Sequence, residues 1–253
     1  MGANAKAASI AGDLVVQNAR VRAIGEDAGG FRPISEKDLF DCEYWSLEQA
    51  KLGKGAPPKF QGKIVMITGG SGTIGFAIAE AFSKLGAQTI LVDKDETALK
   101  KAVTKLGVGH AYFPIDVTET DAADQAMLAA IQNFGGLDIL VSNAGAAHAG
   151  PMLSISNDEL RNAFELNFFS HYSFSTEAAK ILKNQNRGGQ ILFNISKQAV
   201  NPGKNFGAYG LPKATTFFLM RQLALELGSD GIRVTVSYTH LRAHETGRNL
   251  VCR

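Results

Sequence analysis

A chain of 253 residues with 45% apolar and 20% charged residues has an ordinary globular composition and can bury a sizeable core in one α/β domain, with or without an appendage. A formal charge of +2 is too small to argue for a nucleic-acid or membrane partner, and no apolar run approaches the roughly 18 residues that span a bilayer. Two cysteines, Cys42 and Cys252, build no disulfide framework, and Met1 to Arg20 lacks the compact apolar core of a signal peptide, so a reduced, cytoplasmic protein is expected.

Residues 1–60 read as a mostly helical arm. Lys6 to Ala19 has helical spacing with Ile10, Leu14 and Val15 on one side, and Gly25 to Gly30 reads as a turn-rich break. Ser35-Glu-Lys-Asp38 fits a capping box, and Asp41 to Leu52 continues as a helix carrying Tyr44 and Trp45 as docking residues. Gly53-Lys-Gly-Ala-Pro-Pro58 is a linker by composition.

From residue 61 to 236 strands and helices alternate. An apolar run, Ile64 to Ile67, meets Thr68-Gly-Gly-Ser-Gly-Thr-Ile-Gly75, and a helix follows with Ile74, Ile78, Phe82 and Leu85 at steps of three and four. Further strands are expected at Gln88 to Val92, Tyr112 to Ile115, Leu137 to Val141, Gln190 to Ile195 and Ile232 to Val236. Helices are expected at Glu96 to Leu106, Thr120 to Phe134 (capped by Thr118 or Thr120), Asn157 to about Asn184, and about Gly210 to Leu227. Such alternation predicts right-handed βαβ units around a parallel sheet. The fold class is therefore α/β, a Rossmann-type doubly wound parallel sheet.

Strand, glycine turn and helix form the setting in which glycine lets backbone N–H groups approach a pyrophosphate at a helix N-terminus. The cofactor-binding candidates in this turn are Thr68, Gly69, Ser71, Gly72, Thr73, Ile74 and Gly75. Asp93 ends the second strand where an acidic residue bonds ribose hydroxyls and repels a 2′-phosphate, which favours NAD over NADP. Asp116 with Val117 ends the third strand and is placed to meet the adenine, and Asn143-Ala144-Gly145 ends the fourth. All fall at carboxyl ends of strands, where open α/β sheets bind ligands. Tyr209 and Lys213, four apart on a helix, share a face, with Pro212 expected in the first turn. Ser196 lies 13 residues before Tyr209, and Asn167 sits in the preceding long helix.

Across Lys63 to Val236 these residues, together with Gly231-Ile-Arg-Val234, resemble the short-chain dehydrogenase/reductase family in type and order. One departure is Thr73, where the short single-domain branch has Gly; the spacing here is the Thr-Gly-x-x-Gly-x-x-Gly of the extended branch. Counting back from Tyr209 gives Ser196 as the family's serine; aligning on Asn194-Ile195 gives Lys197, and Ser196 is preferred because a hydroxyl can accept a proton and an ammonium cannot. The resemblance implies an NAD-dependent oxidoreductase with a catalytic set of Asn167, Ser196, Tyr209 and Lys213. In that set Lys213 stabilises the Tyr209 phenolate and holds the nicotinamide ribose, Ser196 holds the reacting oxygen, and Asn167 a proton-relay water. A two-unit fall in the Tyr209 pKa corresponds to roughly 3 kcal/mol.

Phe193-Asn-Ile-Ser-Lys-Gln-Ala-Val-Asn-Pro-Gly-Lys-Asn-Phe-Gly-Ala-Tyr-Gly-Leu-Pro-Lys213 and Phe31-Arg-Pro-Ile-Ser-Glu-Lys-Asp-Leu-Phe-Asp-Cys-Glu-Tyr-Trp-Ser-Leu-Glu-Gln-Ala-Lys-Leu-Gly53 look like the active-site segment and connector of the bifunctional rhamnulose-1-phosphate aldolase/lactaldehyde dehydrogenases. That resemblance implies an aldolase-domain tail and connector at 1–60, a small hydroxyaldehyde or alcohol as substrate, and a homo-oligomeric parent protein. The competing expectation is a nucleotide-binding or assembly module without turnover. No metal centre is expected: His110, His148 and His171 read as scattered loop or helix-surface histidines, and His240, His244 and Cys252 lack a fourth ligand. After Val236 the family's Pro-Gly turn, covering segment and seventh strand do not follow. Residues 237–253 are expected to be a non-native tail, the domain C-terminally incomplete, and the chain itself inactive or weakly active.

Overall fold

The computed structural model describes residues 5–43 and 58–238. Two units separate at Gly62/Lys63. In the first, α1 (Ala5–Asp27) and α2 (Glu36–Glu43) are the helices among the described residues. Helix α1 runs eight residues past the expected end and through Gly25, because glycine weakens a helix interior by only about 1 kcal/mol. Ile10, Leu14 and Val15 do share one side, and all are exposed within the unit. Ser35 caps α2 as expected, accepting the Asp38 N–H at 3.1 Å while its hydroxyl donates to the Asp38 carboxylate at 2.7 Å. Tyr44, Trp45 and the linker lie outside the described residues.

The second unit is a six-stranded parallel sheet among the described residues, in the order β3-β2-β1-β4-β5-β6. Its strands are β1 (Ile64–Thr68), β2 (Gln88–Asp93), β3 (Ala111–Pro114), β4 (Ile139–Ser142), β5 (Gly189–Asn194) and β6 (Ile232–Ser237). The connecting helices are α3 (Thr73–Lys84), α4 (Glu96–Leu106) and α5 (Ala122–Phe134) on one side of the chain order. After β4 come α6 (Asn157–Phe164), α7 (Ser170–Gln185) and α8 (Gly207–Leu227). Strand order reverses between β1 and β4, which pair in register from Val65↔Ile139 to Ile67↔Val141. That reversal opens a crevice at the carboxyl ends of the two strands, the ligand position of doubly wound sheets.

Central strands of a sheet covered on both faces read as continuous apolar runs, and β1 and β4 are buried at every residue. Burying each large side chain, such as Leu91, Leu140 or Ile191, stabilises the fold by about 1.5–3 kcal/mol. Helix α3 departs from the expected apolar face: Gly75 and Ala79 are its buried residues, while Ile74 is 54% exposed. Small residues win because α3 approaches the backbone of the glycine turn. A Cβ on Gly75 would stand 2.1 Å from the Gly69 carbonyl oxygen.

Three other expectations are corrected. The Asn157–Asn184 helix is interrupted by a π turn at Glu165–Phe169, where the Ser170 N–H reaches back to the Glu165 carbonyl. Of its four phenylalanines only Phe174 is fully buried, and Phe169 is exposed. Neither Thr118 nor Thr120 caps α5; Asp121 is the N-cap residue, and Thr118 bonds Asp116 through both its N–H and its hydroxyl, at 3.0 and 2.8 Å. Helix α8 begins at Gly207, so Pro212 lies in its second turn and not its first. The Ala208 carbonyl therefore has no N–H to receive from residue 212.

Candidate active site

The crevice is a cleft of about 750 Å³, lined from the glycine turn across to α8. Of the residues expected to bind a cofactor, Gly69, Gly72, Thr73, Ile74, Gly75, Asp93, Asp116, Val117, Asn143, Ala144, Gly145, Tyr209 and Lys213 line it, as does Ser196. Thr68, Ser71 and Asn167 stand behind its wall. Thr68 accepts the N–H groups of Asn143 and Ala144 on its hydroxyl, at 2.9 and 3.0 Å. Asn143 returns the contact, donating its amide to the Thr68 and Gly69 carbonyls at 2.9 and 3.3 Å and accepting from Asn194 at 2.8 Å. One asparagine thus ties the ends of β1, β4 and β5 together.

The glycine turn has the geometry of a phosphate cradle. Gly69 has φ +64°, and a Cβ there would press to 3.0 Å on the Ala144 backbone. Gly72 caps α3 without any side-chain bond to the first-turn N–H groups, which leaves them to the cleft. Thr73 is simply the first residue of α3, so the missing glycine leaves the turn intact. Ser71 donates both its hydroxyl (2.6 Å) and its N–H (3.2 Å) to the Asp93 carboxylate. Asp116 is held ionised, its carboxyl pKa lowered chiefly by the Thr118 N–H. Its carboxylate is also 3.6 Å from the Lys94 ammonium.

Asn167 lies in the π turn and is fully committed to the wall. Its carboxamide oxygen accepts the Ala146 N–H at 3.2 Å, and its amide donates to the Ala146 and Ala163 carbonyls at 3.0 and 3.1 Å. Its own carbonyl accepts the Thr216 hydroxyl at 2.9 Å. Ser196 follows β5 and caps a single 3-10 turn, accepting the Gln198 N–H at 3.3 Å. Ser196 and Lys197 both line the cleft, and a Ser196 hydrogen bond works to lower the Tyr209 pKa.

Tyr209 and Lys213 share a face of α8. Burial raises the Tyr209 pKa, with the Ser196 bond working weakly the other way. The Lys213 ammonium lies over the Tyr209 ring, 5.9 Å from its centroid, and is also 2.9 Å from His171 Nε2 and 3.3 Å from the Asn194 carbonyl. Lys213 is 2% exposed, and burial brings its own pKa down to about 7.

The histidine expectation fails at one of three positions, His171, while His110 and His148 lie on loops. His148 is exposed on a loop, 3.6 Å from Glu159. His110 is half-buried, its Nδ1 accepting the Thr89 N–H at 3.1 Å and its Nε2 3.0 Å from Ser83 Oγ. His171 is fully buried between Ser142 and Lys213. The π turn stands between it and α6, so helical spacing in the sequence did not announce its burial. Among the described residues no His, Cys, Asp or Glu cluster could hold a metal ion.

Fold and cleft together define a Rossmann-type α/β protein. The family model described as short chain dehydrogenase matches residues 63–243, and the chain belongs to that family. A second model, aldolase class II, second domain, matches residues 1–52. The chain is 36% identical over 213 residues to the uncharacterized oxidoreductase YuxG of Bacillus subtilis, covering 81% of this chain and 31% of that protein. It is 34% identical over 189 residues to general stress protein 39 of the same organism, covering 72% of this chain and 64% of the relative. Among solved structures, the 3-ketoacyl-(acyl-carrier-protein) reductase from Brucella melitensis complexed with NADH superposes with a TM-score of 0.68 at 27% identity, over 70% of this chain and 74% of that one. A short chain dehydrogenase from Mycobacterium smegmatis gives 0.69 at 26%, over 73% and 78%.

Proposed function

We propose that this chain carries the cofactor site and catalytic residues of a cytoplasmic NAD-dependent oxidoreductase that interconverts a small hydroxyaldehyde or alcohol, such as lactaldehyde, with its oxidised partner. The carrying observation is that Ser196, Tyr209 and Lys213 line the same cleft as the glycine turn and Asp93. The cradle suits a dinucleotide: free N–H groups at the start of α3 face a pyrophosphate, and the Asp93 carboxylate suits ribose hydroxyls while repelling a 2′-phosphate. Asp116 and Val117 border the adenine end, and Asn143, Ala144 and Gly145 the floor.

When bound, NAD accepts the hydride in alcohol oxidation and NADH returns it in reduction. The chain's own residues handle the oxygen. Ser196 Oγ holds the reacting oxygen by a hydrogen bond. In reduction Tyr209 Oη gives its proton to that oxygen; in oxidation the phenolate takes the hydroxyl proton as the carbonyl forms. Burial favours the protonated phenol, so near neutral pH the site is set for donation, the direction of carbonyl reduction. Lys213 holds a ribose hydroxyl, and Asn167 fixes Ala146 behind it.

Residues 1–60 are assigned as the tail and connector of an aldolase-type domain, supported by the class II aldolase match at 1–52 and by the division at Gly62/Lys63. The parent protein is assigned as a bifunctional enzyme of rhamnose metabolism and a homo-oligomer. The test is a panel of small aldehydes and alcohols assayed with NADH and NAD. Turnover of lactaldehyde above unrelated aldehydes by the completed domain supports the assignment, and no turnover of any three-carbon hydroxyaldehyde by it defeats the assignment.

A further inference from the structure

The proposed mechanism has no use for His171, although it is the most enclosed ionisable side chain beside the cleft. Ser142 Oγ lies 2.6 Å from Nδ1, Lys213 Nζ lies 2.9 Å from Nε2, and the Phe193 ring packs edge-on with centroids 6.0 Å apart. These neighbours come from β4, α8 and β5, and Lys213 is the charged one among them. Burial first, and the Lys213 charge second, push the imidazole pKa well below its ordinary value, so the ring is neutral. A neutral imidazole has one donor and one acceptor nitrogen, whereas an ammonium can only donate. Below pH 7, where Lys213 carries its proton, Nε2 therefore accepts from it, and the ring proton resides on Nδ1 and is donated to Ser142 Oγ.

We infer that His171 is a positioning residue, its Nε2 kept as an acceptor by Ser142 so that it fixes the Lys213 amine at the inner wall of the cleft. This rests on the proposed role of Lys213 in holding the cofactor. A lysine side chain has four rotatable bonds, and burial alone does not aim its amine. His171 and the Asn194 carbonyl take two of the three N–H groups. The third is left for the cleft, beside Gly145, where an added Cβ would stand 3.1 Å from Nζ. Ser142 reaches Lys213 only through the imidazole.

The experiment uses the 253-residue chain with His171→Gln, His171→Leu and Ser142→Ala, each alone, and Ser142→Ala combined with His171→Gln. In the unmutated chain below pH 7, ¹H–¹⁵N spectra of labelled histidine rings should show His171 as the neutral Nδ1–H tautomer. His171→Leu should weaken NADH binding and lower kcat/KM by about ten- to a hundred-fold, the usual range for residues that orient a ligand-holding group. His171→Gln, whose carboxamide oxygen can take the place of Nε2, should stay within a few-fold of wild type. Ser142→Ala should fall between them and add nothing in the His171→Gln background, because coupling vanishes when the intermediary no longer has two nitrogens to assign. An Nε2–H tautomer overturns the inference, as does a His171→Leu protein that loses urea resistance but keeps wild-type NADH affinity and kcat/KM. Equal losses with Gln and Leu overturn it too. If the unmutated chain neither binds NADH nor turns over substrate, the functional reading fails, and the ring tautomer still decides whether His171 is the acceptor for Lys213.

Discussion

The Asp93 carboxylate accepts two hydrogen bonds from one residue, the hydroxyl of Ser71 at 2.6 Å and its backbone N–H at 3.2 Å. Its other oxygen takes the Lys94 N–H at 2.8 Å. The negative charge at the end of β2 is thus clamped to the glycine turn, and neither can shift without the other. A charge held this firmly cannot swing away from a second phosphate.

Cofactor preference follows from that clamp. The unmutated chain should bind NADH more tightly than NADPH, and Asp93→Ala should narrow the gap while weakening NADH as the turn loosens. Titration by nicotinamide fluorescence measures both. Equal affinities before mutation would remove Asp93 from the ribose site.

Tyr209→Phe keeps the ring and removes the acid. Turnover should fall by about two or more orders of magnitude while NADH binding stays nearly intact. Because burial raises the phenol's pKa, reduction should weaken and oxidation strengthen as pH rises toward and beyond its ordinary value near 10. Retention of most activity by the phenylalanine variant would send the search for the proton donor elsewhere.

Lys213 gives stability a pH signature. Its folded pKa, about 7, lies below the unfolded value near 10.5. Between those values the unfolded chain binds the proton that the folded chain has lost, so this group's contribution rises with pH across the window and is least favourable below 7. The urea midpoint of the unmutated chain should therefore climb from pH 7 to 10 relative to Lys213→Met, by the equivalent of a few kcal/mol. Parallel midpoints for the two proteins would mean that Lys213 titrates normally.

Gly75→Ala should cost about 1–3 kcal/mol, the range for an overpacked site, and should lower NADH affinity as well. The added methyl meets backbone, the Gly69 carbonyl at 2.1 Å and the Gly70 Cα at 2.9 Å, so no side chain can yield. Gly228→Ala, with nothing within 4 Å, is the control and should be neutral within about 0.5 kcal/mol. Circular-dichroism melts of the two variants compare them directly.

Where periodicity and a terminating residue agreed, the sequence was sufficient. Helix α4 runs from Glu96 to Leu106 as expected, because Asp95 caps it and glycine follows it. The strands were displaced by a residue or two, since strand ends are set by pairing with neighbours that spacing does not display. The cleft residues were legible because they sit at strand ends, a position that follows from the topology. Long-range partners were not. Nothing local says that Lys213 bonds His171, or that Thr216 bonds the Asn167 carbonyl from another helix. Both depend on how α8 packs on the π turn, which appears only once the sheet has brought them together.

The π turn at Glu165–Phe169 amounts to one residue inserted into an otherwise regular helix. Each residue of an α-helix advances the facing direction by about 100°, from 3.6 residues per turn. Everything from Ser170 onward is therefore rotated by roughly that angle relative to an uninterrupted helix begun at Asn157. His171, Phe174, Ala178 and Leu182 point into the core only because of that offset. Loss of one residue from this short segment would let the turn close into regular helix and keep all four facing the core. In a gene, an in-frame three-nucleotide deletion here should therefore disturb the core less than one in the middle of α5, where no π turn can absorb the lost residue.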